Sequence, residues 1–550
     1  MRTVLFGLVA PLALAAQVTL GNYSLSGTVV NSVTGAPVKG AEVNLVALSN
    51  LDAGPGAPPD QLGPMIAAAS SGTGGEYLFS GLAAGQYSLQ ASKSGFVTDS
   101  AAAGYPESIA LSASVSGHTI RLAPLGVLEG TVSSQYGEPL AGVFIGLFER
   151  GCVDGVRSVL PGRSATTNDR GQFRIWDLQP GTYYVQARRG AGSESLPVGY
   201  TAVHYTPWEG FRPVYFGGAH DMDSATPVTV AAGGQARADF DVAMEPVYKV
   251  RGALENFAPG EPAEFEWWEA ASNAAAGGTI GEAVLDEKTG RFALDGVPSG
   301  RYTLRVTQGQ RARGDAVLTV KDGDVNGVRV ALVPALTVSG TVHSIGAGPQ
   351  RAGSLPDMNL AAVAPCFVSL LTAGSVPAVG RLSAAPGQDG EFSIMGAFAG
   401  QYRLHVQCRS GYVVSAVSGG ADLLSNPEIA LEAGVQPAPI EITVKAGGGA
   451  LRGTVQVSGA PAGTGVLLVP AFTPSAGPVT QLASRTAAPA GEVGFAFVNL
   501  APGDYVAYAF SGIQLIEYRN PAFLNALRGG TSVRIEDGRG AAVTLRGLVK

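Results

Sequence analysis

Six aromatic side chains fall between residues 200 and 216, namely Tyr200, Tyr205, Trp208, Phe211, Tyr215 and Phe216, in a chain with only 7% aromatic residues. The C–H face of a pyranose packs on such rings while its hydroxyls need polar neighbours, and His204, Glu209 and Arg212 are interspersed among them. Tyr205, Trp208 and Tyr215 are accordingly read as a carbohydrate-stacking platform; the alternative is a long connection folded back to cover its own domain. A second cluster is Glu264-Phe265-Glu266-Trp267-Trp268-Glu269. Strand alternation sends Phe265 and Trp267 to one face and Glu264, Glu266 and Trp268 to the other. Glu266 and Trp268 thus form a second expected ligand-binding pair, with packing of Trp268 against a neighbouring domain as the alternative.

No catalytic constellation accompanies these rings. Gly-x-Ser-x-Gly and His-Glu-x-x-His do not occur, and none of the seven lysines has a serine three residues before it. The five histidines, His118, His204, His220, His343 and His405, are dispersed, whereas a zinc site needs three or four convergent ligands. His220-Asp221-Met222-Asp223 offers oxygen ligands to a calcium ion, but two carboxylates in a polar loop are ordinarily solvated. The expectation is a non-enzyme with no metal and no cofactor. A formal charge of −7 and basic residues scattered without a run exclude an electrostatic footprint for nucleic acid.

Three cysteines are too few for a disulfide scaffold. Cys366 and Cys408 lie in two strand-like runs of one repeat, so one bridge between them is expected, leaving Cys152 unpaired; the alternative is three small buried thiols. Met1-Arg2, the apolar run from Val4 to Leu14, and Ala13-Leu14-Ala15 read as a secretory signal over residues 1–15. Eleven apolar residues at about 1.5 Å each fall short of a membrane core of roughly 30 Å. The mature chain is therefore expected to be soluble and exported, with no transmembrane segment.

The elements that would position these groups are repeated. Gly75-Glu-Tyr77 with Gly85-Gln-Tyr87 recurs as Gly171-Gln-Phe173 with Gly181-Thr-Tyr183, then as Gly290-Arg-Phe292 with Gly300-Arg-Tyr302, and again as Gly390-Glu-Phe392 with Gly400-Gln-Tyr402. A fifth copy, Phe495 with Gly503-Asp-Tyr505, has Val493 in place of the first glycine. Apolar residues alternate on both sides of a Gly/Pro turn, which reads as a β-hairpin whose aromatics anchor the core. An opening strand precedes each copy: Leu25-Ser-Gly27-Thr-Val29, Leu128-Glu-Gly130-Thr-Val132, Val250-Arg-Gly252-Ala-Leu254, Val338-Ser-Gly340-Thr-Val342 and Leu451-Arg-Gly453-Thr-Val455. Its glycines recur at intervals of 103, 122, 88 and 113, the size of an independent domain and too long for a solenoid repeat. The 77 glycines and 35 prolines, against 14% charged residues, agree with many short strands and exclude a long helical protein. The domains read as 16–124, 125–246 with its aromatic-rich insert at 200–216, 247–335, 336–447 and 448–550. Short apolar linkers at 124–127, 246–249, 333–337 and 445–450 suggest a semi-rigid, monomeric rod. Asn520-Pro521 and Gly529 bracket one short helix.

The Gly-Thr-Val strand, the Gly35-Ala-Pro37-x-x-Gly40-x-x-Val43 turn, and the Asn168-Asp-Arg-Gly171-Gln-Phe173…Leu178-Gln-Pro-Gly181-Thr-Tyr183 phrase resemble the carboxypeptidase regulatory-like domains. That family shares a prealbumin-like, Ig-like β-sandwich with the B-type repeats of collagen-binding adhesins and with starch-binding-like domains. The resemblance implies an all-β tandem array of five prealbumin-like sandwich modules, and does not imply peptidase activity. B-type repeats often carry a Lys-Asn or Lys-Asp isopeptide bond, but here only Lys249 lies beside an opening strand, where a solvated lysine is the ordinary case. The function expected is a non-catalytic exported binding or adhesion scaffold with glycans or cell-envelope proteins as partners. The alternatives are a structural spacer without a small ligand, or an accessory of a separate peptidase or glycosidase.

Overall fold

The computed structural model describes residues 21–47, 65–98, 107–153, 155–189, 209–269, 282–346, 366–372, 382–408, 411–456, 464–471, 481–483, 486–487, 492–511 and 515–549. The expected signal at 1–15, and Tyr205 and Trp208 in the aromatic-rich insert, lie outside the described residues.

The chain is all-β, and its five copies share one framework with one departure: in the third, Glu282–Asp286 joins the sheet of the opening strand, whereas its counterparts Met65–Ser70, Val156–Thr166, Leu382–Ala384 and Gln481–Ala483 pair in the facing sheet. In the first, Tyr23–Asn31 pairs antiparallel with Glu76–Leu82 and parallel with Val115–Pro124. The facing sheet is built from Met65–Ser70, Glu42–Ala47, Gly85–Ser92 and Glu107–Leu111 in that order. The same parallel pairing of opening and closing strands recurs as Gly126–Ser134 with Gln235–Arg237 and Glu245–Glu255 with Val325–Ala331. It is repeated by Leu336–Ile345 with Ile440–Lys445 and by Gly449–Gln456 with Gly540–Arg546. Five large apolar clusters fill the space between paired sheets, drawn from residues 25–122, 128–242, 250–332, 336–444 and 451–545.

The expected hairpin is a different structure. Glu76–Leu82 pairs with the opening strand of one sheet, whereas Gly85–Ser92 pairs with Glu42–Ala47 and Glu107–Leu111 of the other. All five copies do the same, so the two strands face each other across the core as an arch. Two local devices turn the chain from sheet to sheet. The residue four after the first aromatic, Gly81, Asp177, Gly296, Gly396 or Asn499, has φ between 56° and 79°. The tyrosine hydroxyl then donates back to the carbonyl four residues earlier: Tyr87 to Ala83 (2.9 Å), Tyr183 to Gln179 (2.7 Å), Tyr302 to Pro298 (3.0 Å), Tyr402 to Phe398 (2.9 Å) and Tyr505 to Ala501 (2.8 Å). This is a tyrosine corner in every copy. Burial pushes the Tyr183 phenol up to about 12, consistent with a hydroxyl that stays protonated to donate.

The arch explains the opening-strand glycine. A Cβ on Gly27, Gly130, Gly252, Gly340 or Gly453 would lie 1.8–2.4 Å from a main-chain oxygen of the closing strand or its flank. The same Cβ would lie only 2.4–2.8 Å from the side chain of the first aromatic, which crosses over that glycine. In the fifth copy Val493 replaces the turn glycine because the strand Glu492–Leu500 begins earlier there and pairs Val493 with Val455.

The expected semi-rigid rod folds back on itself instead of extending. The hairpin Val143–Val153/Val156–Thr166 of the second copy meets the fifth: the Arg519 N–H donates to Gly155 O at 3.1 Å, and Arg157 pairs with Glu517. Arg519 Nη2 lies 3.4 Å from His405 Nδ1 of the fourth copy. The helix Pro521–Ala526 is short, and Asn520 caps it by accepting from the Ala522 N–H at 3.0 Å.

Candidate functional site

Alternation along Glu264–Glu269 places Phe265 and Trp267 in the third apolar cluster, with Trp267 only 1% exposed. Glu264 and Glu266 are exposed on the opposite face, and Trp268 is half-buried there. Cross-strand register then supplies neighbours. Glu266 lies opposite Arg305, which lies opposite Asp315; Trp268 lies opposite Thr303, which lies opposite Val317. Arg305 donates from Nε and Nη2 to the two oxygens of Asp315, each at 2.9 Å, and its guanidinium sits 5.2 Å from the Trp268 ring centroid. The hydrogen bond to Asp315 holds the Arg305 guanidinium above its usual pKa, against the opposing effect of burial. Val317 is 60% exposed, so the face combines one indole, one open apolar side chain, a fixed cation and the Glu266 carboxylate. That mixture can pack the C–H face of a sugar and accept or donate to its hydroxyls.

One end of this face is closed by the next copy. Arg313 donates to Ala399 O at 2.9 Å and lies 4.7 Å from the Phe398 ring centroid. Burial, followed by the nearby Arg305 charge, lowers the Arg313 pKa.

The aromatic-rich insert divides differently. Phe211 and Val214 enter the second apolar cluster. Tyr215 is 1% exposed and packs on Phe148, Tyr184 and Met222 over the outer face of the second copy's sheet. A ring with no free face offers no platform, so Tyr215 is a covering residue and its stacking role is withdrawn. Burial pushes its phenol above the usual range. Glu209–Gly210 of the insert pairs with Glu245 and Pro246, where the strand Glu245–Glu255 leads into the third copy. Arg212 beside it donates to Glu245 at 2.8 Å and to Glu269 at 3.4 Å. The insert and the Glu264–Glu269 strand thus meet through Arg212 and Glu269, while Tyr215 and Trp268 serve different faces of different sheets.

The remaining expectations have clear placements. The sulfurs of Cys366 and Cys408 are bonded across the paired strands Cys366–Thr372 and Gly400–Cys408, and Cys152 is a free, partly buried thiol. Lys249 Nζ forms an ion pair with Asp295 at 3.2 Å, both side chains more than two-fifths exposed. In the calcium candidate, Asp221 accepts from the Ser224 N–H at 2.8 Å, Asp223 pairs with Arg150, and His220 bonds Pro213 O. These contacts turn the three side chains to separate partners, and among the described residues no group of three metal-ligating side chains converges.

Sequence reasoning missed Trp176, 57% exposed on Gln172–Leu178. The parity that puts Phe173 and Ile175 inside would have found it. It also missed Arg305 and Asp315, which reach Glu266 only through strand register.

Residues 24–114, within the first copy, match the family described as the carboxypeptidase regulatory-like domain. No curated protein matches the chain. Among solved structures, the chain is similar to the minor pilin GBS52 of Streptococcus agalactiae, at 16% identity and a TM-score of 0.24, over 41% of this chain and 97% of that one. The shaft pilin SpaA of Lactobacillus rhamnosus GG gives 11% identity and a TM-score of 0.20, over 42% and 98%. The major pilin subunit BcpA of Bacillus cereus gives 13% and 0.16, over 58% and 99%. Among the described residues no helix is long and apolar enough to cross a membrane.

Proposed function

We propose that this chain is a non-catalytic, exported scaffold of five β-sandwich modules, at 16–124, 125–246, 247–335, 336–447 and 448–550, whose third module binds carbohydrate. The observation that carries the ligand reading is the outward face on which half-buried Trp268, exposed Glu266 and the Arg305–Asp315 pair adjoin. The indole supplies a planar apolar surface, Glu266 accepts hydroxyl hydrogen bonds, and Arg305, already oriented by Asp315, donates without first being ordered. Trp208 remains a second stacking residue in this reading.

Glycan-array binding by the mature chain is the test. Trp268→Ala and Glu266→Gln should each reduce binding at least tenfold with the melting temperature unchanged, since both side chains lie outside the core. Full binding by the Trp208→Ala/Trp268→Ala double variant overturns the site. A second reading, an envelope spacer without a small ligand, is favoured by the direct contacts between modules, among them Arg212–Glu269, Arg313–Ala399 and Lys445–Asp537. Silence across a diverse array selects the spacer.

A further inference from the structure

The contact between the second and fifth copies joins residues 360 apart in sequence, and its two sides are built differently. On the fifth copy the contact segment is held firmly. Ile516 and Tyr518 are buried with Leu467 and Phe510 in a small apolar cluster, supported by Phe523, Leu524 and Leu527 around the short helix. Asn520, which caps that helix, also donates to Glu517 Oε2 at 3.2 Å and so orients the carboxylate. On the second copy the partner is only the tip of a hairpin. Gly155 has φ of 75° and presents bare backbone to the Tyr518 ring; a Cβ there would lie 2.6 Å from ring atoms. Arg157 reaches across to Glu517 from Nε at 2.9 Å and from Nη2, with its own side chain 71% exposed.

We propose that this contact is a reversible clasp, by which the chain alternates between a folded-back form and an extended array. One side is preorganised, so closing orders little beyond the Arg157 side chain. Among the described residues the contact includes the Tyr518 ring over Gly155, one main-chain hydrogen bond and the Arg157–Glu517 ion pair, with Arg519 and His405 adding a polar contact to the fourth copy and Thr486–Ala487 lying beside Glu107–Leu111 of the first. Contacts between domains of one chain are typically small and polar, and relative motion is the ordinary outcome. Exposed ion pairs are individually weak and are screened over roughly 10 Å at 0.1 M salt, so ionic strength and charge at positions 157 and 517 should set the balance.

Small-angle X-ray scattering of the mature chain tests this. Modules of this size have radii of gyration near ~13 Å, so five arranged in a closed circuit should give about 30 Å and five in a row about 50 Å. The wild type at low salt should lie near the smaller value and move toward the larger in molar salt. Arg157→Glu and Glu517→Arg should each extend the chain at low salt, and the double exchange should restore the compact form. Unchanged melting temperatures would show that the modules themselves stay folded. Single variants that scatter like wild type, a wild type already extended at low salt, or one that stays compact in molar salt would each overturn the clasp.

Discussion

At the scale of residues, the tyrosine corner is a main-chain device supplied by a side chain. Tyr302 is fully buried and its hydroxyl satisfies Pro298 O. Tyr302→Phe should cost about 1 kcal/mol by leaving that carbonyl unpaired, measured as a lower denaturant midpoint for the third module. The left-handed residue four after the first aromatic gives a sharper test. Asn499→Val should lose about 1–2 kcal/mol, because a β-branched side chain disfavours φ of 57°. The repeated aromatics were plain in the sequence, but this position was not, since Gly has no side chain and shares with Asp and Asn only a tolerance of the left-handed conformation. Asp324 is held below the usual carboxylate range first by the Lys249 N–H and then by Arg251. Its folded pKa is depressed, so its contribution is full above the unfolded-chain value and is lost as pH falls through the lower folded one. An NMR titration should place the Asp324 midpoint below the ordinary 3.8, and Arg251→Ala should recover part of the difference, the Lys249 N–H remaining.

At the scale of elements, periodicity located the opening strand and the two strands flanking the Gly/Pro turn in every copy, left the closing strands unmarked, and assigned one connection wrongly. Two alternating strands joined by a short Gly/Pro turn look alike whether they pair with each other or with opposite sheets. What separates them is the bend at the left-handed residue and the returning hydroxyl, both properties of the folded backbone. The candidate face was half legible for the same reason. Parity along one strand brought Glu266 and Trp268 together, while Arg305 and Asp315 arrive from strands whose register depends on long-range pairing. The same register sets Cys366 opposite Cys408. For a bridge spanning 42 residues, replacing both cysteines by alanine should lower the fourth module's stability by about 2–4 kcal/mol, seen by calorimetry as one transition moving while the others stay in place.

At the scale of the whole molecule, order along the chain did not predict arrangement in space. The linkers are short, yet the second and fifth copies touch through Gly155, Arg157, Glu517 and Tyr518, residues that belong to no repeated phrase and so carried no signal. The parallel pairing of first and last strands in each copy has a mechanical consequence. Because these strands run side by side in the same direction, the chain enters a copy at one end of the pair and leaves at the other. Tension between neighbours therefore slides the two strands past each other in shear, loading the ladder from Ala450 opposite Gly540 to Gln456 opposite Arg546 all at once instead of unzipping it bond by bond. Pulled from its ends, an opened chain should extend first without unfolding and then yield in separate high-force steps, one for each copy.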